Sequence, residues 1–355
     1  MNNIIDLRSD TVTLPSDDMR KTIASANLGD DVFSEDPCVN KLEQKAAIIM
    51  GKERGLLVPS GTMGNLVSIL VHCQRGTEII LGDKAHTFVY EAGGISAFGG
   101  VHSRQLMNQA DGTIDIDEVI SSIRTDNIHF PKTSAITIEN THNLCNGSPL
   151  TAEYTHTISE IAHQNGIKLH VDGARIFNAA VSLNIDINEL VKDADSVTFC
   201  LSKGLAAPIG SIICGSEKFI YHARRIRKAL GGGMRQAGII ASAGMYSLDN
   251  MLDQIREDHK NTTRLAKGIN EIEGLSIDRE SIKSNILYFD IEKGTKRCEE
   301  LARQTKNITV YPFQVTLDNI RFFESRPGRF RLVTHYGITR DDIEKTLEVL
   351  DKIVN

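Results

Sequence analysis

From residue 54 to about residue 230 the chain alternates short apolar, β-branched runs with stretches whose apolar residues recur every three or four positions. The runs at residues 55–58, 78–81, 135–139, 168–172, 196–200 and 211–214 have the length and composition of strands. Between them, residues such as 151–164 place Ile158, Ile161 and Ala162 on one helical face. Alternation of this kind predicts βαβ units and a mostly parallel sheet covered by helices on both faces. Val197-Thr198-Phe199-Cys200 is nearly continuous in apolar character, as a strand buried on both faces requires. Residues 236–273 contain few breakers and predict one long helix, or two joined near Gly244. Beyond them the rhythm changes. Strands are expected at 286–290, 309–311 and 330–334, and helices at 295–306 and 340–353. The expected fold class is therefore α/β: a large domain over residues 1–247 with a mostly parallel sheet, and a smaller α+β domain over residues 248–355. The segmentation shows no internal repeat, low-complexity tract or long linker.

Composition narrows the classes. A chain of 355 residues is long enough for two domains, and 41% apolar residues supply a large core. A net charge of −6 argues against nucleic acid or an anionic membrane as partner. Six cysteines, at 38, 73, 145, 200, 214 and 298, are scattered without a CxxC pair, which reads as reduced thiols. The first residues carry neither a basic nor an apolar leader. No apolar run approaches the roughly 20 residues of a membrane helix. A cytoplasmic, soluble protein is expected.

Candidate chemistry gathers at predicted strand ends. Lys203 follows the strand at 196–200, in Ser202-Lys203-Gly204, and Asp172 closes the strand at 168–172. A lysine and an aspartate so placed suit pyridoxal phosphate, the lysine forming a Schiff base with the cofactor aldehyde and the aspartate keeping the pyridine nitrogen protonated. Pro59-Ser60-Gly61-Thr62-Met63-Gly64-Asn65 leads from a strand into a helix, where free N–H groups can seat a phosphate. Arg175 either contacts the ring hydroxyl or pairs with Asp172. His86 and His142 each follow a strand end and are the candidate proton handlers, and the His86 imidazole could also stack on the cofactor ring. A substrate carboxylate calls for a guanidinium. Arg329 and Arg331 lie on one face of the same strand, so spacing does not separate them. Gly231-Gly232-Gly233-Met234-Arg235 implies a close backbone approach. No GxGxxG follows an early strand, which disfavours a dinucleotide-binding dehydrogenase.

These segments resemble, nearly end to end, the low-specificity L-threonine aldolases, a fold-type-I pyridoxal phosphate family with an aspartate aminotransferase-like large domain. The carriers are Asp6-Leu7-Arg8-Ser9-Asp10-Thr11, Gly29-Asp30-Asp31-Val32-Phe33, Glu35-Asp36-Pro37, the 59–65 turn, Glu139-Asn140-Thr141-His142-Asn143, the strings at 170–175, 202–205 and 231–236, and Val333-Thr334-His335. The resemblance implies that Lys203 binds the cofactor, Asp172 pairs with its ring nitrogen and His86 stacks on the ring. It further implies that Gly61 and Thr62 hold the phosphate, with Arg235 reaching it from a neighbouring subunit of a homodimer or homotetramer. Arg175 would face the cofactor, while Ser9, His142 and Arg331, rather than Arg329, would contact the substrate. No metal is implied. Phe33, Cys38, Ala206 and residues 144–149 depart from the family pattern, which bears on substrate preference.

The reaction expected on that resemblance is retro-aldol cleavage of threonine, or of another β-hydroxy-α-amino acid, to glycine and an aldehyde such as acetaldehyde. His86, His142 or a water would serve as the base. The rivals are β-elimination by a related pyridoxal phosphate lyase and a protein that only binds the cofactor.

Overall fold

A computed structural model of the protein describes residues 4–291 and 313–354. Its strands in the first part of the chain are β1 (Ile5–Asp6), β2 (Arg54–Val58), β3 (Glu78–Gly82), β4 (His102–Leu106), β5 (Thr133–Glu139), β6 (Lys168–Asp172), β7 (Ser196–Cys200) and β8 (Ser211–Gly215). Later come β9 (Leu275–Ser276), β10 (Ile286–Ile291), β11 (Phe313–Leu317), β12 (Ile320–Arg326) and β13 (Arg329–Val333).

Seven strands form one sheet in the order β2-β8-β7-β6-β5-β3-β4. β8 runs antiparallel to both its neighbours, and every other pairing is parallel. The other six strands therefore point one way, and their carboxyl ends share one edge. Alternate side chains feed two cores. Leu57, Ile136, Leu169, Phe199 and Ile212 pack under the helices Pro37–Met50, Ala152–Gln164 and Gly238–Asn250. Leu56, Val58, Ile79, Leu81 and Ile213 pack under the helices Gly61–His72 and Glu217–Ala229. Each such side chain contributes about 1.5–3 kcal/mol on burial, and both faces are apolar because both are covered.

The second sheet runs β1-β12-β13-β10-β9, with β11 also against β12. Phe289 stacks on Phe330 with centroids 5.2 Å apart, and Phe322 meets Phe330 edge-on at 5.7 Å. The helices Leu252–Ile269 and Arg340–Val354 cover this core through Leu265, Ile269, Ile343 and Leu350.

Several expectations needed adjustment. The long helix does divide, but at Met251 rather than near Gly244. Gly244 is buried inside its helix, where a Cβ would lie 2.8 Å from Leu201 and 2.9 Å from Leu42, so it serves close packing, not a break. The strand expected at 330–334 runs Arg329–Val333. Strand β4 was not expected because His-Ser-Arg-Gln-Leu buries only Leu106 at the sheet edge. The helix at 295–306 and the strand at 309–311 lie outside the described residues.

Candidate active site

Five of the predicted site residues come together on the edge where the parallel strands end, the place where open α/β sheets bind ligands. A cavity of about 190 Å³ is lined by Gly61, Thr62, His86, Asp172 and Lys203, together with Asn65, Glu91 and Cys200. A larger cleft of about 810 Å³, near Phe177, Asn184 and Arg256, contains none of these residues.

The turn at residues 59–65 is built by capping. Ser60 is the N-cap of the helix Gly61–His72, its Oγ accepting from Met63 N at 3.2 Å. Gly64 N takes the Ser60 carbonyl. The amides of Gly61 and Thr62 are the first two of the helix and have no acceptor within it, so the helix start is an anion seat. A Cβ on Gly61 would come 2.8 Å from Cys200 Sγ, so only glycine lets this turn lie against β7.

Asp172 is buried, its Oδ2 accepting from Asn65 Nδ2 at 2.8 Å and its Oδ1 from Ala174 N at 3.1 Å. No lysine or arginine among the described residues pairs with it. Arg175 does not; it forms a bidentate pair with Asp10, Nε to Oδ2 at 2.7 Å and Nη2 to Oδ1 at 2.8 Å. Burial opposes ionisation of Asp10, but Arg175 outweighs it and holds the carboxyl well below its usual range, helped by the charges of Lys203 and Arg331. Asp172 is thus a buried carboxylate held by neutral donors, a costly state without a cationic partner. A protonated ring nitrogen would supply that charge. The amine of Lys203 likewise meets no carboxylate among the described residues. The group therefore fits the residues present.

His86 follows β3. Its backbone N–H donates to Glu139 Oε2 at 2.7 Å, and its Nδ1 lies 2.9 Å from Glu91 Oε1. Burial alone would lower the imidazole pKa, but the Glu91 hydrogen bond and the charge of Asp172 reverse this and raise it. Glu91 is itself raised by burial. Ligand atoms of His86, Glu91 and Asp172 lie within 4.8 Å of one another. Asn65 donates to both carboxylates and His86 to one, so these atoms already serve the polar network.

The other candidates stand around this centre. His142 is buried, with neither ring nitrogen hydrogen-bonded, and its Nε2 is 3.9 Å from Glu139 Oε2. Arg331 is buried without an ion-pair partner among the described residues; Nη1 donates to the Arg8 carbonyl at 3.1 Å and Nη2 to Asn143 Oδ1 at 2.8 Å. Burial pushes its pKa down, and its Nε has no partner among the described residues. Arg329, by contrast, is paired with Asp290 at 2.7 Å. Ser9 sits beside Arg8 and accepts from Thr11. Arg235 lies at the surface, paired with Asp30 at 3.0 Å, and does not line the cavity of its own chain.

Sequence reasoning gave no role to Asn65, Glu91, Asp10 or Asn143. Asp10 and Asn143 lay inside the quoted strings, and Asn65 inside the turn. Glu91 had no local signal, being five residues past His86 in a bend.

The profile of the beta-eliminating lyase family matches residues 6–292. Low-specificity L-threonine aldolase 1 of Arabidopsis thaliana is 44% identical over 346 residues, 97% of this chain and 94% of that protein. Low specificity L-threonine aldolase of Escherichia coli strain K12 is 39% identical over 340 residues, 96% of each. The solved structure of Leishmania major threonine aldolase superposes with a TM-score of 0.80 at 18% identity, covering 99% of this chain and 100% of that one. With this family match and near full-length similarity, the chain belongs to the beta-eliminating lyase family and, within it, to the low-specificity L-threonine aldolases.

Proposed function

We propose that the enzyme uses pyridoxal phosphate to cleave L-threonine, L-allo-threonine and related β-hydroxy-α-amino acids to glycine and an aldehyde, acetaldehyde in the case of threonine. The observation that carries this reading is Asp172, a buried carboxylate in the same cavity as Lys203, neither having an ion-pair partner among the described residues. When bound, the cofactor supplies an aldehyde for Lys203 and the substrate amine in turn, and a ring that accepts the electron pair released from the Cα–Cβ bond.

The chain's own groups do the rest. Asp172 keeps the ring nitrogen protonated. Gly61 and Thr62 receive the phosphate at the helix start, with Arg235 contributed by a neighbouring subunit of a homodimer or homotetramer. Arg175, locked by Asp10, donates Nη1 to Asn143 Oδ1 at 3.4 Å and would face the cofactor. Arg331, Ser9 and Asn143 hold the substrate carboxylate, with His142 beside them. His86 lines the cavity, whereas His142 does not. The His86 Nδ1 proton is committed to Glu91, which leaves its Nε2 to take the β-hydroxyl proton, directly or through water. We assign residues 1–247 to a cofactor-binding unit and 248–355 to a smaller one. Among the described residues no helix is long and apolar enough to cross a membrane. We place the enzyme in the cytoplasm, in threonine breakdown and glycine formation.

The family's description favours one second reading, β-elimination from a cysteine-like substrate. Incubation with threonine separates the two: the aldolase releases glycine and acetaldehyde, an eliminating lyase a keto acid and ammonia. The purified protein should also show a cofactor absorbance band that Lys203→Ala loses on dialysis against a competing amine. A protein that neither binds the cofactor nor releases glycine would overturn the proposal.

A further inference from the structure

Behind the cavity a file of polar side chains runs between the helix Gly61–His72 and the strands β6 and β7 to the two carboxylates. Nε2 of the partly buried His72 lies 2.7 Å from Ser196 Oγ, and Ser196 Oγ lies 2.8 Å from His170 Nδ1. His170 Nε2 is 3.2 Å from Asn65 Oδ1. Asn65 Nδ2 then reaches Asp172 Oδ2 at 2.8 Å and Glu91 Oε1 at 2.9 Å. His170, Ser196, Asn65 and Asp172 are all buried, and His72 stacks on Phe219 with centroids 4.8 Å apart.

The direction of every bond follows from the carboxylate end. Carboxylate oxygens facing an amide accept, so Asn65 turns its nitrogen to Asp172 and Glu91. That leaves Asn65 Oδ1, which can only accept, facing His170; the His170 proton is therefore on Nε2. Burial drives the His170 pKa down to about 3, and burial together with the neighbouring His170 ring does the same for His72. Each ring thus carries one N–H near neutral pH. His170 Nδ1 must accept, so Ser196 donates its only hydroxyl proton there. Ser196 Oγ then accepts, and His72 holds its proton on Nε2. All donors point towards the carboxylates, and hydrogen bonds aligned head to tail strengthen one another.

We propose that Asn65 and His170, oriented by Ser196 and His72, are positioning residues that fix Asp172 for the ring nitrogen and Glu91 for His86 with a single amide. The inference rests on the assignment of Asp172 made above. One nitrogen joins the group that holds the cofactor's charge to the group that orients the base, so the two cannot rotate independently. The file also explains why a histidine stands in the buried strand β6: His170 is a neutral relay whose two nitrogens do different work.

The test begins with ¹⁵N-histidine labelling of the full-length holoenzyme and magic-angle-spinning NMR, the two rings being assigned from His72→Gln and His170→Gln. Both should be neutral Nε2–H tautomers at neutral pH; an Nδ1–H or doubly protonated His170 overturns the proposal. A second arm uses the reach of carboxamides. The His170→Gln amide can occupy the Nε2 position and still donate to Asn65, whereas the His170→Asn amide reaches only the Nδ1 position. Cofactor release should be about tenfold faster in His170→Asn, the cost of one lost hydrogen bond to this network, and near wild type in His170→Gln. Equal release from the two variants also overturns it. A wild-type protein that binds no cofactor removes the role of Asp172, while the tautomers still report on the file itself.

Discussion

Asp172 and Arg331 are both buried and of opposite charge, and neither finds an ion-pair partner among the described residues, whereas Asp10 and Arg175 beside them neutralise each other. Buried charges left without a counter-charge are expensive, so the two sites mark where a cation and an anion complete the enzyme. Arg331→Ala should raise KM for threonine about a hundredfold or more, the range for truncating one partner of a buried charge pair. Arg329→Ala, whose charge Asp290 already satisfies, should change KM little; steady-state kinetics on both variants decide this. The His86–Glu91 pair carries a pH prediction. The His86 pKa is raised, so the pair's stabilisation is fully present below the unfolded histidine value of about 6.5 and is lost as pH rises through the folded pKa. As a base His86 works only when neutral. Glu91→Gln should therefore move the acid limb of the kcat/KM profile to lower pH, and an unmoved limb would remove His86 from the role of base.

At the scale of elements, the helix Leu252–Ile269 carries Asp258, a buried carboxyl whose pKa burial raises to about 7. A raised carboxyl costs stability as pH climbs from its unfolded value, about 3.9, through the folded one. Asp258→Asn should remove that slope, so its advantage over wild type grows by roughly 2–4 kcal/mol between pH 4 and pH 8, readable from urea midpoints. Elements that pack on both faces announce themselves in the chain: β7 carries a near-continuous apolar run, and both it and β6 were legible to the residue. Because the parallel strands end on one edge, Lys203, Asp172, His86 and the Gly61 turn were legible as neighbours in one cavity. The N-terminus of the helix Leu252–Ile269 was not, because Gly244, the apparent breaker, answers to Leu42 and Leu201 rather than to its own backbone. Nor was the partner of Arg175, since nearby Asp172 is the natural guess and Asp10 lies 165 residues away. Short-range patterns report burial and strand ends; they do not report which distant side chain closes a pair.

For the whole molecule, the exposed Arg235 and its absence from its own cavity make a specific demand. If each site borrows Arg235 from a neighbour, Lys203→Ala and Arg235→Ala subunits are each defective alone but together form one intact site. Mixing the two after partial unfolding and refolding should yield threonine cleavage that neither parent shows, and a mixture as inactive as its components would count against sharing. The bond from Arg331 to the Arg8 carbonyl adds a matter of timing. Its two ends are 323 residues apart, and at common rates of synthesis the first waits about a quarter of a minute to a minute for the second to emerge. Much of the parallel sheet is complete by then, yet Arg331 does not exist, so on the proposed assignment a nascent or prematurely ended chain would hold the cofactor's wall without the means to select an amino acid.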